Sequence, residues 1–307
     1  MILGSALLFL IFGLSRKEQH EESFDNNNAT SKFRNFSDSE IKYTFGAFVA
    51  VAAVANVILL VLPQRDVEDC IECTKERHTN SFMQRIGVTL QGFLNKRMLL
   101  LTPLFFFSGI FSAFWSTVYP TSLLFTHSFD DYYYLPAYYS LAAGSGEVLM
   151  GAFVAVMSKK IRNFGLKPTM YLGFFLCIVA LAAITASAPE SSTFRQTDED
   201  PWLIQPSISL ALTIAVILGM ADACANSVKA VMCTLALSVG RSDAFAISRF
   251  YQGSFTTVMM FLSPHMSIYA YTILLAISVT ISLFTFLKVT TQVLRSEKVG
   301  QLETQTK

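Results

Sequence analysis

Charged residues are scarce in this sequence. They make up 15% of its 307 positions, whereas a soluble globular domain carries about 25%. Hydrophobic residues supply 52% of the chain, and its mean hydropathy is +0.46. The net charge of +1 and the lack of a basic patch interleaved with aromatics give no signal for a polyanionic partner. We therefore predict a chain surrounded by lipid, with no nucleic-acid partner.

The residue patterns of common enzyme sites are also missing. No Gly-rich phosphate loop, GxSxG or HExxH motif occurs, and no Cys/His pair has a supporting third group. The four histidines lie in predicted loops, far apart in the sequence: His20, His78, His127 and His265. We predict that the protein is not an enzyme and needs no cofactor.

Cysteine gives little support for either disulfides or metal. The chain has five cysteines, and three of them lie in apolar runs, where a free thiol behaves as a small hydrophobe. Cys70 and Cys73 form a single CxxC pair in a charged loop. Zinc binding at such a pair normally requires a second pair, so we predict no metal site and no disulfide framework.

What the sequence does have is long apolar runs, and a spanning helix needs about 20 mainly apolar residues. We predict eight transmembrane segments: Ile2–Ser15, Tyr43–Leu62, Met98–Leu124, Leu135–Met157, Thr169–Ala188, Pro206–Leu237, Ala244–Pro264 and Ile268–Val289. The first is short and lacks the basic start and the small-residue cleavage site of a signal peptide. A shortened membrane helix is therefore preferred there, with a signal sequence as the alternative.

Two signals fix an expected orientation. The predicted loop 16–42 holds the glycosylation sequons at Asn28 and Asn35, which places it outside or in a lumen. Lys and Arg concentrate in alternate loops and in the C-terminal tail, and such basic segments face the cytoplasm. We therefore expect a multi-pass protein of the plasma membrane or an endomembrane, with a cytoplasmic C-terminus.

The spacing of the runs predicts an organisation in four parts. Residues 1–62 would hold two helices, residues 63–97 a cytoplasmic linker, residues 98–289 six helices and residues 290–307 a cytoplasmic tail. Two helices, a long linker and six helices are typical of the major facilitator architecture, which is built from two repeated halves. The fold expected is an all-α polytopic membrane bundle of that type without its first four helices.

Some polar residues interrupt the predicted spans, and five of them form a candidate group. An ionisable group inside a span is a functional hypothesis by default, and the candidates for an intramembrane polar network are Glu147, Asp222, Asn226, Arg249 and Gln252. Asp222, Asn226 and Lys229 follow the i, i+4, i+7 spacing of one helix face. We expect Asp222 to pair with Arg249 near the cytoplasmic mouth, and Glu147 to lie deeper, protonated or hydrogen-bonded to Asn226 or Gln252.

The role of this network stays open between a clasp that holds helices together and a gate or ion site. Lys229 could also extend to the membrane interface. Small residues allow close helix approach, so the predicted helix-packing glycines are Gly144, Gly146, Gly151 and Gly219. The tyrosines around residues 132–139 fit an interfacial belt better than a ligand cage.

Three short motifs resemble a known family. GxGExxxG runs from Gly144 to Gly151, GxxDAxxN from Gly219 to Asn226, and AFAxxRFxQ from Ala244 to Gln252. In this order they are similar to the uncoordinated-93 family, the ion-channel-regulatory branch of the major facilitator superfamily. Within it the chain most resembles the major facilitator superfamily domain-containing protein 11 subgroup. The chain departs from the family pattern after Asn226, where Ser227 and Val228 replace the usual Thr-Gln.

The resemblance implies a non-enzymatic regulatory subunit of an ion channel, in particular a potassium channel. A proton- or ion-coupled secondary transporter and a receptor-trafficking chaperone are the alternatives. The expected partners are the lipid bilayer and a potassium channel or another membrane protein. Because the resemblance implies a pathway between two halves, we expect a chain without the first four helices not to transport alone by alternating access.

Overall fold

The computed structural model describes residues 38–62, 87, 90–130, 132–161, 165–236 and 241–305, with positions 2, 4–6, 8, 9 and 13 of the first predicted span. The rest of that span lies outside the described residues. So do the two sequons and the Cys70–Cys73 pair. Within the described part the chain is helical, and a single bridge between Thr126 and Thr197 is the only β-type pairing.

Eight α-helices follow one another along the described part of the chain. They are α1 Asp38–Val61, α2 Lys96–Ala113, α3 Tyr119–Leu124, α4 Leu135–Lys160, α5 Leu166–Ser187, α6 Ile208–Ala236, α7 Arg241–Leu262 and α8 Ile268–Gln305. A π-helical segment, Phe114–Val118, joins α2 to α3 into one continuous rod. Short 3₁₀ turns lie at His127–Phe129, Glu190–Thr193 and Ser263–His265.

Six of the described helical segments are long and apolar enough to cross a membrane. They are Ile41–Val61, Lys96–Leu124, Leu135–Lys160, Leu166–Ser187, Ile208–Leu235 and Ile268–Gln292. These six coincide with predicted segments and confirm an all-α polytopic membrane protein. The seventh predicted segment is helical as α7 but is not among the six, because its polar side chains, Arg249 and Gln252 among them, lower its hydropathy.

The bundle is organised around α2 and α6. Helix α6 packs against α4 on one side and α5 on another, while α2 packs against α7 and α8, and α8 closes onto α5. Two apolar clusters fill the interior, one around Phe111, Phe114 and Tyr271 and the other around Met98, Met232 and Phe286. Burial of these side chains fixes the positions of the polar residues that α2, α6 and α7 carry.

Helix α1 is exposed along its whole apolar window. None of its residues is buried where burial is described, and large apolar side chains such as Phe45, Leu60 and Val61 are mostly exposed. A helix that is hydrophobic on every face is typical of a membrane span. Its surroundings are therefore lipid or other protein rather than the described bundle.

Two helical boundaries differ from the predicted segment ends. Residues 90–93, inside the predicted linker, are helical, and Phe93 contacts the rings of Phe250 and Tyr251 on α7. Asn95 then caps α2 by accepting a hydrogen bond from the Arg97 amide. Helix α8 continues to Gln305, through most of the predicted tail, because no proline interrupts it.

A loop after α5 is held by polar contacts of its own. The Ser191 hydroxyl donates to the Glu199 carboxylate, and Arg195 Nη2 lies 2.6 Å from Glu199 Oε1. These hydrogen bonds, that of Ser191 first, lower the pKa of Glu199 below its usual value. Thr193 anchors the same loop to α8 by donating to the carbonyl of Met266 just before that helix.

Glycines allow α4 and α6 to cross in direct backbone contact. A Cβ at Gly146 would overlap the carbonyl of Val216, and a Cβ at Gly219 would overlap the carbonyl of Ala143. Each glycine thus faces the other glycine's helix, and the two contact points on α6, Val216 and Gly219, lie about one turn apart. Gly144 is buried on the same helix as Gly146.

Gly151 was also predicted to be a helix-packing glycine, and the structure places it elsewhere. It is exposed, and a Cβ there would meet no described atom within 4 Å. The reason is its distance along α4: it lies five residues beyond Gly146, which is more than one turn past the crossing.

Candidate functional site

One half of the polar network is a carboxylate cluster formed by Trp115, Asp222 and Asn226. Trp115 Nε1 donates to Asp222 Oδ1 at 3.2 Å, and Asn226 Nδ2 donates to Asp222 Oδ2 at 2.6 Å. Asp222 is 9% exposed and Trp115 5% exposed. Both carboxylate oxygens therefore have a donor, which offsets part of the cost of burying the charge.

The π segment positions Trp115 for this contact. The Tyr119 amide bonds to the Phe114 carbonyl, five residues earlier, and Pro120 has no amide hydrogen to donate. The Trp115 carbonyl therefore lacks its two usual helical donors. The Tyr139 hydroxyl of α4 replaces them at 2.5 Å, so the irregular turn is satisfied from a neighbouring helix.

The other half of the network is a cation cluster formed by Ser108, Lys229, Arg249 and Gln252. Lys229 Nζ lies 2.9 Å from Ser108 Oγ and 2.8 Å from Gln252 Oε1. Arg249 Nη1 donates to the same Gln252 oxygen at 3.2 Å. Two of these hydrogen bonds, both from Lys229, join α6 to α2 and to α7, whereas the Arg249–Gln252 bond lies within α7.

Both cations of this cluster lack a carboxylate partner among the described residues. The described ion pairs lie in loops, at His127–Asp130 and Arg195–Glu199. Because Lys229 and Arg249 share one acceptor atom, their nitrogens lie within about 6 Å of each other, where like charges repel by about 1–3 kcal/mol near a protein surface. Lys229 is only 4% exposed, and its two described hydrogen-bond partners are neutral.

A cavity of about 290 Å³ lies beside the cation cluster. It is large enough for about ten water molecules and approaches the lower limit of small-molecule sites. Its lining comes from α2, α6 and α7: Ser112, Asn226, Lys229, Ala230, Cys233, Phe245, Ser248, Arg249 and Gln252. Among the described lining residues are both cations and no acidic side chain.

Glu147 lies apart from both clusters. It is half-buried on α4. The predicted hydrogen bond to Asn226 or Gln252 is absent among the described residues: Asn226 donates to Asp222, and Gln252 accepts from Lys229 and Arg249. In the described part of the chain, no group of three His, Cys, Asp or Glu could hold a metal ion.

Comparison with known proteins identifies the family of this chain. The sequence pattern of the family described as ion channel regulatory protein UNC-93 matches residues 1–287. The chain belongs to the UNC-93 family. Two curated relatives are the UNC93-like proteins MFSD11 of Xenopus tropicalis, 25% identical over 260 residues, and of Xenopus laevis, 24% identical over 259 residues.

The alignment covers only part of each relative. It covers 79% of this UNC-93 chain and 58% of each Xenopus protein. The chain therefore spans little more than half the length of the curated relatives it matches. No solved structure matches it.

The predicted pairing of Asp222 with Arg249 in this UNC-93 protein is wrong. Asp222 binds Trp115 and Asn226, whereas Arg249 binds Gln252. The reason is depth: Lys229 lies seven residues beyond Asp222 on α6, a rise of about 10 Å, and Gln252 of α7 lies level with Lys229. Arg249 therefore lies too far along the bundle axis to reach Asp222.

Sequence reasoning missed Trp115, Ser108 and Tyr139 as members of the network. A single Trp or Ser in an apolar run is normally interpreted as packing, and Tyr139 was assigned to an interfacial belt. Tyr139 is instead buried, at 3% exposure, whereas Tyr132 and Tyr138 are exposed. The sequence signal for the contact at Trp115 was Pro120. Proline has no amide hydrogen, so the carbonyl of Trp115, five residues earlier, needs a donor from elsewhere. Lys229 points inward rather than towards the membrane interface.

Proposed function

We propose that this UNC-93 protein is a non-catalytic membrane subunit that regulates an ion channel, in particular a potassium channel. The observation that carries the proposal is the match of residues 1–287 to a family described as ion channel regulatory protein. The exposed apolar length of α1 supports it, because such a helix can pack against another membrane protein. The clusters at Asp222 and Lys229 would then hold α2, α6 and α7 as one rigid surface.

Co-expression with a panel of potassium channels tests this proposal. We expect the current through at least one channel to change several-fold while the amount of that channel at the cell surface stays constant. The readout is current divided by surface channel, measured in the same cells. An unrelated multi-pass protein expressed at the same level is the control. No change in normalised current with any channel would refute the proposal.

The same measurement separates regulation from receptor or channel escort. An escort would raise the current only in proportion to the channel at the surface, so the normalised current would not change. That result would favour the trafficking-chaperone alternative and reject regulation.

A secondary transporter is the second candidate, and the cavity of about 290 Å³ beside two cations favours it. In that case the full-length protein, with both halves present, should carry a solute in proteoliposomes, and Glu147→Gln should reduce flux while partner binding persists. A regulator should show no flux of its own. The two candidates thus differ in an experiment that needs no channel.

We further propose the orientation and division indicated by the loop charges. Residues 16–42 would lie outside the cytoplasm between two helices of an N-terminal half, residues 63–97 would form a cytoplasmic linker, and residues 98–289 a six-helix half followed by a cytoplasmic C-terminus. The concentration of Lys and Arg in alternate loops supports this arrangement.

Glycosylation provides a direct test of the orientation. The expressed protein should lose apparent mass on treatment with an N-glycosidase, and the double variant Asn28→Gln, Asn35→Gln should not. A sequon introduced into residues 63–86 is the control and should remain unmodified. Modification of that control sequon would reverse the orientation.

A further inference from the structure

We infer that the cavity beside the cation cluster is a binding site for an oxyanion, the phosphate or carboxylate group of a small metabolite or of a lipid. The first support is charge. Lys229 and Arg249 both line the cavity, and neither forms an ion pair with another described residue. Their shared acceptor is a neutral amide oxygen, that of Gln252.

The second support is the burial of Lys229. Buried charges in proteins are normally paired with an opposite charge or bound to a ligand, and Lys229 is 4% exposed with two neutral partners. Asp222, the nearest acid on the same helix, has its oxygens occupied by Trp115 and Asn226. An anion in the cavity would supply the missing negative charge for both cations.

The chemistry of the lining specifies an oxyanion. The Arg249 guanidinium can donate two parallel hydrogen bonds to a phosphate or carboxylate, and the Lys229 ammonium can serve a further oxygen. Ser112, Ser248 and Asn226 add neutral polar groups around the same space. Ala230, Cys233 and Phe245 provide an apolar part of the wall, which suits the organic portion of a ligand.

The test uses the purified full chain in nanodiscs of phosphatidylcholine. Inorganic phosphate, titrated against chloride at equal ionic strength, should raise the midpoint of thermal unfolding in a saturable manner. Arg249→Gln should weaken the apparent affinity at least about tenfold, since a hydrogen bond to a charged group is lost. Arg249 is exposed, so this variant should fold even if Lys229→Gln does not.

Lys160→Gln is the matched control, because it removes one positive charge from an exposed position at the end of α4. Its affinity for phosphate should equal that of the wild type. A second arm distinguishes a lipid source: nanodiscs containing phosphatidic acid are analysed by native mass spectrometry for lipid retained by wild type, Arg249→Gln and Lys160→Gln.

Saturable phosphate binding that only Arg249→Gln weakens would establish a site for a free oxyanion. Retention of phosphatidic acid with the same dependence on Arg249 would establish a lipid phosphate as the occupant. Equal responses of Arg249→Gln and Lys160→Gln, or no response in either arm, would overturn the inference. These outcomes do not depend on whether the protein regulates a channel.

Discussion

Substituting valine for Gly219 is expected to destabilise the bundle by about 3 kcal/mol or more and to deplete folded protein from the membrane. A side chain at this position would overlap the backbone carbonyl of Ala143 on α4. Backbone atoms of a packed helix cannot rotate away as a flexible side chain can. The two helices would have to separate, and the reciprocal contact of Gly146 with Val216 would be lost with them.

Gly151→Val provides the matched control for this prediction. It makes the same chemical change on α4, but its side chain would meet no described atom within 4 Å. The measurement is the midpoint of thermal unfolding in detergent, with the monodisperse fraction recovered from membranes. We expect Gly219→Val and Gly146→Val to lower both the unfolding midpoint and the monodisperse fraction. Gly151→Val should resemble the wild type in both. Equal behaviour of all three variants would show that α4 and α6 do not cross at these residues.

The second large effect is expected for Trp115→Ala. Truncating a large buried aromatic side chain costs about 3–5 kcal/mol, and Trp115 also donates to the buried Asp222 carboxylate. The variant would lose both the ring packing and the hydrogen bond. Thermal unfolding of the purified protein measures the combined loss of stability from the ring packing and the hydrogen bond.

Two further variants separate these contributions. Trp115→Phe keeps most of the apolar volume and removes only the donor, so its cost should be about 1–3 kcal/mol from the unpaired carboxylate oxygen. Trp202→Ala changes the other of the two tryptophans, which is 70% exposed, and should cost less than about 0.5 kcal/mol. If Trp115→Ala were as mild as Trp202→Ala, Trp115 would not lie in a buried contact.

Much of the fold follows directly from hydropathy. The six long apolar helices coincide with predicted segments because the helix length and apolarity that a membrane requires leave few alternatives. The Asp222–Asn226 hydrogen bond is likewise local, since an i, i+4 spacing places both side chains on one face. The boundaries of α8 and of the segment before α2 were less predictable, because tertiary contacts and proline-free stretches extend helices beyond the apolar runs.

The partners across helices could not be derived from the sequence in the same way. Choosing Arg249 for Asp222 required the relative depth of α6 and α7, which depends on how the helices are offset along the bundle axis. Trp115 becomes a partner only because of an irregular turn whose carbonyl is satisfied by Tyr139 from a different helix. Such contacts depend on how the helices pack together, so the residue pattern within one helix does not predict them.

The π segment at Phe114–Val118 also determines which helices the α2–α3 rod packs against. An i→i+5 turn holds one residue more than an α turn, and one residue corresponds to a rotation of about 100° around the helix axis. Before the segment the rod contacts α7 and α8, and after it Tyr119–Leu124 contacts α4 and the Glu190–Thr193 turn. The extra residue therefore rotates the following turns around the axis of this single span, and the two ends of the rod pack against different sets of helices without a break in the rod.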